Sequence, residues 1–215
     1  MKYDTVIFDL DGTLLNTLDD LADSVNYALE RCGFPRRTVE EVRCFVGNGI
    51  KLLIKRAVPE GTEEKQTEKV FEVFTTHYGE NCRVKTRPYD GIMELLKNLK
   101  ENDIKMAIVS NKVDFAVKEL NNCFFKDYIT VAVGECENVR RKPAPDSVNK
   151  ALELLGSVRE NSLYVGDSDV DIETAKNSGM DCVSVSWGFR DREFLKEKGA
   201  DVIIDVPKEL LGKLL

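Results

Sequence analysis

The stretch "VIFDLDGTLLNT" (residues 6–17) decides the fold, because it joins an apolar run directly to two carboxylates. The run itself, "TVIF" (5–8), predicts a short strand buried on both faces. Asp9 and Asp11 follow with one residue between them, so both side chains can face one crevice at the strand end. Their repulsion and desolvation would be costly without a positive partner, and a hard divalent cation such as Mg²⁺ fits best. Taken alone, the two acids are also compatible with the cap of a helix or turn.

Further apolar runs of the same kind alternate with segments of helical periodicity, which is the pattern of a parallel sheet covered by helices. Most of these runs are apolar throughout, as strands buried on both faces should be. We therefore predict an α/β fold built on a parallel sheet. The predicted strands are "TVIF" (5–8), "KMAIVS" (105–110), "TVAV" (130–133), "SLYVG" (162–166), "CVSVS" (182–186) and "DVIID" (201–205).

Residues 16–86 interrupt this alternation and predict several helices without a convincing strand. One of these helices begins after Thr38, and Glu41 stands three residues further on, as in a capping box. A helical block of about 70 residues is too long for a connection between two strands. It therefore predicts a small all-helical domain, inserted after the first strand of an α/β core that comprises residues 1–15 and 87–215.

The composition is that of an ordinary globular protein, with 42% hydrophobic and 32% charged residues in a chain of 215. The net charge of −7 repels nucleic acid and acidic membranes, so we expect neither as a partner, and an anionic substrate needs local positive charge. The six cysteines lack metal-site spacing and His77 is the only histidine, which argues against a zinc site. Asp4 stands where a signal peptide would be apolar, which predicts a cytoplasmic protein. We expect a monomer or a homodimer.

Polar side chains follow several of the predicted strands at the point where each strand ends. Ser110 and Asn111 come at the start of a predicted helix, Lys142 precedes a proline in a loop, and Asp167 and Asp171 open another helix. Each group alone is typical of a helix cap or a solvated turn. Ligands of open parallel sheets bind at the carboxyl ends of the strands, however, and four such groups in order favour one shared site for a phosphate and a metal ion.

The four groups together resemble the motifs of the haloacid dehalogenase (HAD) superfamily. "DLDGTL" is similar to the first motif, Ser110 with Asn111 to the second, Lys142 with its proline to the third, and "GDSDVD" to the fourth. This resemblance spans the whole chain and implies a Rossmann-like core. The helical insertion after the first motif is similar to the small cap domain of the superfamily.

The resemblance implies a phosphatase mechanism with an aspartyl-phosphate intermediate. Asp9 would be the nucleophile, and Asp11 would protonate the leaving oxygen and then activate water. Dehalogenases of the superfamily lack an acid at the position of Asp11, because a departing halide needs no proton. Phosphoryl chemistry is therefore favoured over dehalogenation.

The same resemblance implies which other residues complete the site. Mg²⁺ would be held by Asp9, Asp167 and the backbone carbonyl of Asp11. Asp171 would support the metal from outside its ligand shell, and Thr13 would fix the loop. The residues expected to bind the substrate phosphate are Ser110, Asn111 and Lys142.

The segment "FVGNGIKLLIKRA" (45–57) in the helical insertion resembles the cap loop of phosphoglycolate phosphatases. Gly47 and Gly49 permit a tight turn, and Asn48 offers a hydrogen-bonding amide to a substrate. Lys51 is a candidate partner for a substrate carboxylate, although a cation on a helix is also typical of a solvated face. The small phosphorylated metabolite that these residues favour is 2-phosphoglycolate.

Three alternatives stay open at this point. Inorganic pyrophosphatases and β-phosphoglucomutase-like phosphotransferases share the core and the cap type. A non-catalytic protein that binds phosphorylated metabolites belongs to another class, but it would be expected to have lost Asp9, Asp11 or the metal-binding acids. The presence of all of these residues favours an enzyme.

Overall fold

The predicted apolar runs form one sheet in the computed structural model, which describes residues 2–47 and 49–214. Six strands pair in the order β5-β4-β1-β6-β7-β8, every neighbouring pair is parallel, and β2 pairs separately with β3. This arrangement confirms the predicted α/β class. The strands are β1 (Thr5–Phe8), β2 (Leu15–Asn16), β3 (Arg87–Pro88), β4 (Lys105–Val113), β5 (Val131–Glu135), β6 (Ser162–Gly166), β7 (Asp181–Val185) and β8 (Ile203–Ile204).

The strand order places the carboxyl end of β1 at the point where the direction of winding reverses. From β1 the chain adds β4 and β5 on one side, and it then returns to add β6, β7 and β8 on the other. The loops after β1 and β6 therefore leave the sheet next to each other and open a crevice. Asp9, the first residue after β1, lies at this crevice.

The side chains of β1 alternate between two apolar clusters, one on each face of the sheet. Val6 and Phe8 belong to the larger cluster, and Ile7 belongs to the other. All three side chains are at most 1% exposed. A mainly apolar run is therefore favoured here, because helices cover both faces of a parallel sheet.

The chain folds as two compact units, one of residues 1–15 and 88–215 and one of residues 16–87. The first unit holds the six-stranded sheet and the helices α5–α10, and the second holds α1–α4. The helices are α1 (Leu18–Arg31), α2 (Val39–Phe45), α3 (Ile50–Ala57), α4 (Glu64–Asn81), α5 (Ile92–Glu101), α6 (Asp114–Phe124), α7 (Asp146–Leu155), α8 (Asp169–Ser178), α9 (Arg192–Glu197) and α10 (Leu211–Leu214).

Helix α5 illustrates how the helices of the first unit pack on the sheet. Ile92, Leu95, Leu96 and Leu99 recur at the spacing of one helical face, and each is at most 3% exposed. All four join the apolar cluster that contains Phe8. Full burial of each such side chain stabilises the fold by about 1.5–3 kcal/mol.

The second unit has its own apolar core between helices, which includes Leu29, Ile54 and Phe74. Helix α2 begins with the predicted capping box, because the Thr38 hydroxyl accepts from the backbone N–H of Glu41 at 3.1 Å. The Glu41 carboxylate in turn accepts from the backbone N–H of Thr38 at 2.7 Å. Two donors at the helix start are thereby satisfied.

The structure corrects one detail of the second polar group. We expected Ser110 and Asn111 to begin a helix, but β4 continues to Val113, and α6 begins only at Asp114. The register between β4 and β5 shifts between Val109 and Val113, so a bulge extends the strand past its apolar run. Sequence analysis also did not identify the two-residue strands β2 and β3. No helix in the described part of the chain is long and apolar enough to cross a membrane.

Candidate active site

A buried lysine lies at the centre of the crevice beyond β1. The Lys142 ammonium donates to Asp9 Oδ1 at 2.7 Å and to Asp171 Oδ1 at 2.8 Å. It also contacts the Tyr164 hydroxyl oxygen at 3.1 Å, and that hydroxyl donates to Asp171 Oδ1 at 2.9 Å. The Lys142 side chain is only 4% exposed, so these contacts replace its hydration. The structure thus brings the first, third and fourth polar groups of the sequence together.

Three buried carboxylates form a cluster around this lysine. Asp9, Asp167 and Asp171 each have a carboxylate oxygen within 4.8 Å of the others. With all three ionised, the single Lys142 ammonium leaves two negative charges uncompensated in a buried site. Oxygen donors with this excess charge suit a hard divalent cation, and Mg²⁺ fits the donor set. Asp9 and Asp167 are the members of this cluster that we expect to hold the metal, with Asp171 outside its ligand shell.

Burial controls the protonation of the cluster. Burial raises the pKa of Asp9 to about 7, although Lys142 acts in the opposite direction. Burial also raises the pKa of Asp167 well above its usual range, and the negative charges of Asp171 and Asp9 raise it further. Asp9 and Asp167 therefore tend to retain protons when no cation compensates them.

This titration predicts how stability depends on pH in EDTA-treated protein. Asp9 titrates near 3.8 when unfolded and near 7 when folded, so its protonated form stabilises the fold below about pH 4. That contribution is lost as the pH rises toward 7. We expect the melting temperature of the native sequence, relative to Asp9→Asn, to fall by about 3 °C or more between pH 5 and pH 8. Excess Mg²⁺ should reduce this fall in melting temperature. If the difference in melting temperature between the native sequence and Asp9→Asn were the same at both pH values in EDTA, burial would not be raising the pKa of Asp9.

Asp11 lies apart from the three clustered carboxylates and is paired with a second lysine. Lys112 donates to Asp11 Oδ1 at 2.8 Å and to Oδ2 at 3.0 Å. The two side chains are 6% and 17% exposed, respectively. Sequence analysis did not identify Lys112 as a functional residue. Its only sequence signal is its position directly after Ser110 and Asn111.

The second polar group and the adjacent Lys112 contact the first and third groups, Lys112 through Asp11 and Asn111 through Lys142. The Ser110 hydroxyl accepts from the backbone N–H of Lys112 at 3.1 Å, and the Ser110 side chain is buried. The Asn111 amide donates to the Lys142 carbonyl at 3.0 Å and accepts from the Lys142 N–H at 2.7 Å. Asn111 thus fixes the backbone that carries Lys142. Its assignment to the substrate phosphate, like that of Ser110, stays a prediction.

The loop after β7 holds Asp167 and the loop after β1 in place. The backbone N–H of Phe189 donates to Asp167 Oδ2 at 2.7 Å, and Trp187 Nε1 donates to the Thr13 carbonyl at 3.0 Å. Thr13 therefore participates in the loop through its backbone. Its buried hydroxyl has no hydrogen-bond partner among the described residues. Neither Trp187 nor Phe189 was identified from sequence, because hydrogen bonds between distant loops leave no local pattern.

Two glycines permit the close approach of these loops. A Cβ atom on Gly12 would overlap the Asp167 carboxylate, and Gly12 has φ +91°, which other residues rarely adopt. A Cβ atom on Gly188 would overlap the Asp167 side chain and the Gly12 carbonyl. The position of Asp167 thus depends on the absence of side chains on both neighbouring loops.

The candidate specificity residues lie in the second unit. Gly47 and Gly49 have φ values of +121° and +87°, in the turn between α2 and α3, and Gly49 caps α3. Asn48 lies outside the described residues. The Lys51 side chain extends toward the Phe71 ring, with its ammonium 5.7 Å from the ring centroid. The involvement of these residues in substrate binding stays a prediction.

Two similar proteins are both named phosphoglycolate phosphatase. Phosphoglycolate phosphatase 1 of Pseudomonas aeruginosa is 31% identical over 212 residues, which covers 96% of this chain and 78% of the relative. Phosphoglycolate phosphatase of Aquifex aeolicus is 35% identical over 185 residues, which covers 86% of this chain and 85% of the relative.

Solved structures resemble the chain over its whole length. A structure from Lactobacillus delbrueckii subsp. bulgaricus matches with a TM-score of 0.95 at 38% identity, covering 100% of this chain and 99% of the other. A predicted phosphoglycolate phosphatase from Haemophilus somnus matches with a TM-score of 0.91 at 28% identity and the same coverage.

The family-level match confirms the resemblance inferred from the four motifs. The model of the haloacid dehalogenase-like hydrolase family matches residues 6–185, which include all four polar groups and the helical insertion. The chain therefore belongs to the haloacid dehalogenase-like hydrolase family.

Proposed function

We propose that this protein is a phosphoric monoester hydrolase that uses Asp9 as its nucleophile and 2-phosphoglycolate as its substrate. The observation that carries the proposal is the buried Lys142 ammonium, which donates to Asp9 beside the carboxylates of Asp167 and Asp171. A phosphate dianion that approaches Asp9 meets this fixed cation, which lowers the cost of bringing two anions together. The choice of 2-phosphoglycolate is supported by relatives named phosphoglycolate phosphatase at 31% and 35% identity.

In the first chemical step, an Asp9 carboxylate oxygen attacks phosphorus, and the bond between phosphorus and the ester oxygen breaks. Asp11 gives its proton to the departing oxygen, so the alcohol leaves neutral. Lys142 and the Ser110 hydroxyl share the negative charge of the transferred group. The product of this step is an acyl phosphate on Asp9.

In the second step, Asp11, now a carboxylate, takes a proton from a water molecule. The oxygen of that water attacks phosphorus, the bond between phosphorus and the Asp9 oxygen breaks, and inorganic phosphate leaves. The Asp9 carboxylate and the protonated Asp11 are thereby restored. The requirement for a proton on the leaving oxygen is the chemical reason why Asp11 favours ester hydrolysis over dehalogenation.

Asp9, Asp167 and the backbone carbonyl of Asp11 are the groups that would hold Mg²⁺. When bound there, Mg²⁺ supplies positive charge that offsets repulsion between the Asp9 carboxylate and the phosphoryl oxygens. Asp171 keeps Lys142 in place through the 2.8 Å contact, and Ser168 orients Asp171 through a hydroxyl donor at 2.6 Å. Asp171 thus acts on the site by positioning its neighbours.

A substrate panel tests the proposed activity. Purified protein with Mg²⁺ is offered 2-phosphoglycolate, hexose phosphates, a nucleotide and pyrophosphate, and both free phosphate and sugar isomers are measured. We expect one phosphate per glycolate formed, the highest kcat/KM for 2-phosphoglycolate, and no turnover in excess EDTA. Isomerisation of a hexose phosphate with little free phosphate would instead identify a mutase, and preference for pyrophosphate would identify a pyrophosphatase.

Cytoplasmic location and a monomeric or homodimeric state are parts of the proposal that rest on the sequence. The absence of turnover on every compound of the panel would favour a non-catalytic protein that binds phosphorylated metabolites. Calorimetric titration of the same compounds into the protein would detect such binding.

A further inference from the structure

We propose that Lys112 is a positioning residue for Asp11, which holds the Asp11 side chain in place for proton transfer to the leaving oxygen. This inference rests on the proposed function, because it assigns Asp11 the proton transfer of ester hydrolysis. It adds a second lysine to the site, with a task that differs from that of Lys142.

The contact between the two side chains fixes the orientation of Asp11. The Lys112 ammonium lies 2.8 Å from Asp11 Oδ1 and 3.0 Å from Asp11 Oδ2, so it contacts both oxygens of the side chain. The side chains are 6% and 17% exposed, so water screens them little. An exposed pair would exchange its partners with solvent, whereas burial limits that exchange here.

The backbone of Lys112 is held on two sides. Its N–H donates to the Ser110 hydroxyl at 3.1 Å. On strand β5, Gly134 approaches so closely that a Cβ atom there would lie 2.6 Å from the Lys112 carbonyl oxygen and 2.5 Å from the Asp114 Cα. The Gly134 N–H also donates to Asp114 Oδ1 at 3.0 Å. The ammonium therefore extends from a rigid segment, as a positioning residue must.

The two lysines contact different carboxylates. Among the hydrogen bonds described above, Lys142 donates to Asp9 and Asp171, whereas Lys112 donates to Asp11. Asp11 must face the ester oxygen when that oxygen accepts its proton, and an ammonium in contact with both Asp11 oxygens holds this orientation. The same contact aims the resulting carboxylate for its second task as the base that activates water.

This division of tasks predicts a dependence on the leaving group. An alkoxide such as that of glycolate is a strong base and cannot depart without a proton, whereas p-nitrophenolate is a weak base and can. Loss of Lys112 should therefore slow the first step for the alkyl ester and hardly affect it for the aryl ester. The quantity kcat/KM isolates this step, because it includes only events up to the departure of the alcohol.

The test compares Lys112→Met with the native protein on 2-phosphoglycolate and p-nitrophenyl phosphate, both with saturating Mg²⁺. We expect kcat/KM to fall about 100-fold or more for the alkyl ester and less than about 5-fold for the aryl ester. The kcat value should fall for both substrates, because hydrolysis of the shared acyl phosphate uses Asp11 as its base. Inhibition by inorganic phosphate should change less than about 3-fold, because Lys112 is not among the residues proposed to bind phosphate.

Lys118→Met is the matched control, because Lys118 also pairs with an aspartate, Asp114 at 2.6 Å, but is 58% exposed. It should leave the alkyl-to-aryl ratio unchanged. Should Lys112→Met be insoluble, Lys112→Gln removes the charge, keeps a donor and is expected to show the same selective loss. Equal losses of kcat/KM on the two esters, or no loss on either, would overturn the role of Lys112 and leave the proposed function standing. A native protein inactive on both esters would overturn the two together.

Discussion

Asp9→Asn is expected to lower kcat for both alkyl and aryl phosphates by roughly 10⁴-fold or more, the range seen when a covalent nucleophile is removed. An amide oxygen is a poor nucleophile toward phosphorus, and the acyl phosphate cannot form. The fold should persist, because the substitution preserves the shape of the side chain and removes one of three buried carboxylates. The measurement is phosphate release under saturating substrate and Mg²⁺, together with the melting temperature.

A suitable control for this variant is Asp103→Asn. Asp103 is exposed, precedes the amino end of β4, and has φ +57°, a conformation that asparagine also tolerates. It should retain full activity. Hydrolysis of p-nitrophenyl phosphate by Asp9→Asn at the native rate would exclude Asp9 as the nucleophile and with it the proposed mechanism.

Lys142→Met is expected to impair both catalysis and folding. Removal of the ammonium should lower kcat/KM by about 10²–10³-fold, because a fixed donor to the transferred phosphoryl group is lost. It also leaves Asp9 and Asp171 without their buried cation, and loss of one partner of such a pair costs about 3–5 kcal/mol of unfolding free energy. Burial alone would lower the pKa of Lys142, but Asp171 and Asp9 raise it above its usual range, so the group is charged at neutral pH.

The pH dependence distinguishes this explanation from simple loss of packing. Without Lys142, Asp9 is stabilised less in its ionised form and can take up a proton at low pH. The loss of unfolding free energy in EDTA should therefore be larger at pH 8 than at pH 5. Chemical denaturation in EDTA at pH 5 and at pH 8 measures this loss of unfolding free energy. The control is Lys150→Met, which lies on the exposed face of α7. A loss that is equal at both values would indicate that the aliphatic stem, rather than the charge, stabilises the fold.

The sequence was sufficient for the fold class and for the family. Apolar runs between helical segments predict parallel strands, because a strand covered on both faces carries mainly apolar side chains. "TVIF" and "SLYVG" coincide with β1 and β6. Acids and a lysine beyond such strands predict a shared site, since parallel strands bring their carboxyl ends to one edge. These inferences need only local patterns and one general property of parallel sheets.

Local patterns were insufficient where the backbone departs from its regular course. The apolar run "KMAIVS" ends at Ser110, and the sequence therefore predicted that a helix begins there. The bulge after Val109 and the close contact with Gly134 instead keep the chain extended to Val113. A bulge depends on the neighbouring strand, which the residues of β4 do not encode by themselves.

By itself, the sequence determined that Asp9, Lys142 and Asp167 stand at strand ends and loops of a parallel sheet. Only the tertiary structure decided which charged side chains are in contact. The Lys112 ammonium reaches Asp11 across 101 positions of sequence, and Trp187 reaches the Thr13 carbonyl across 174. The reason is physical: the energy of a buried ion pair or hydrogen bond depends on distances of a few ångströms. Residues so far apart in the chain reach those distances only when the whole sheet is assembled.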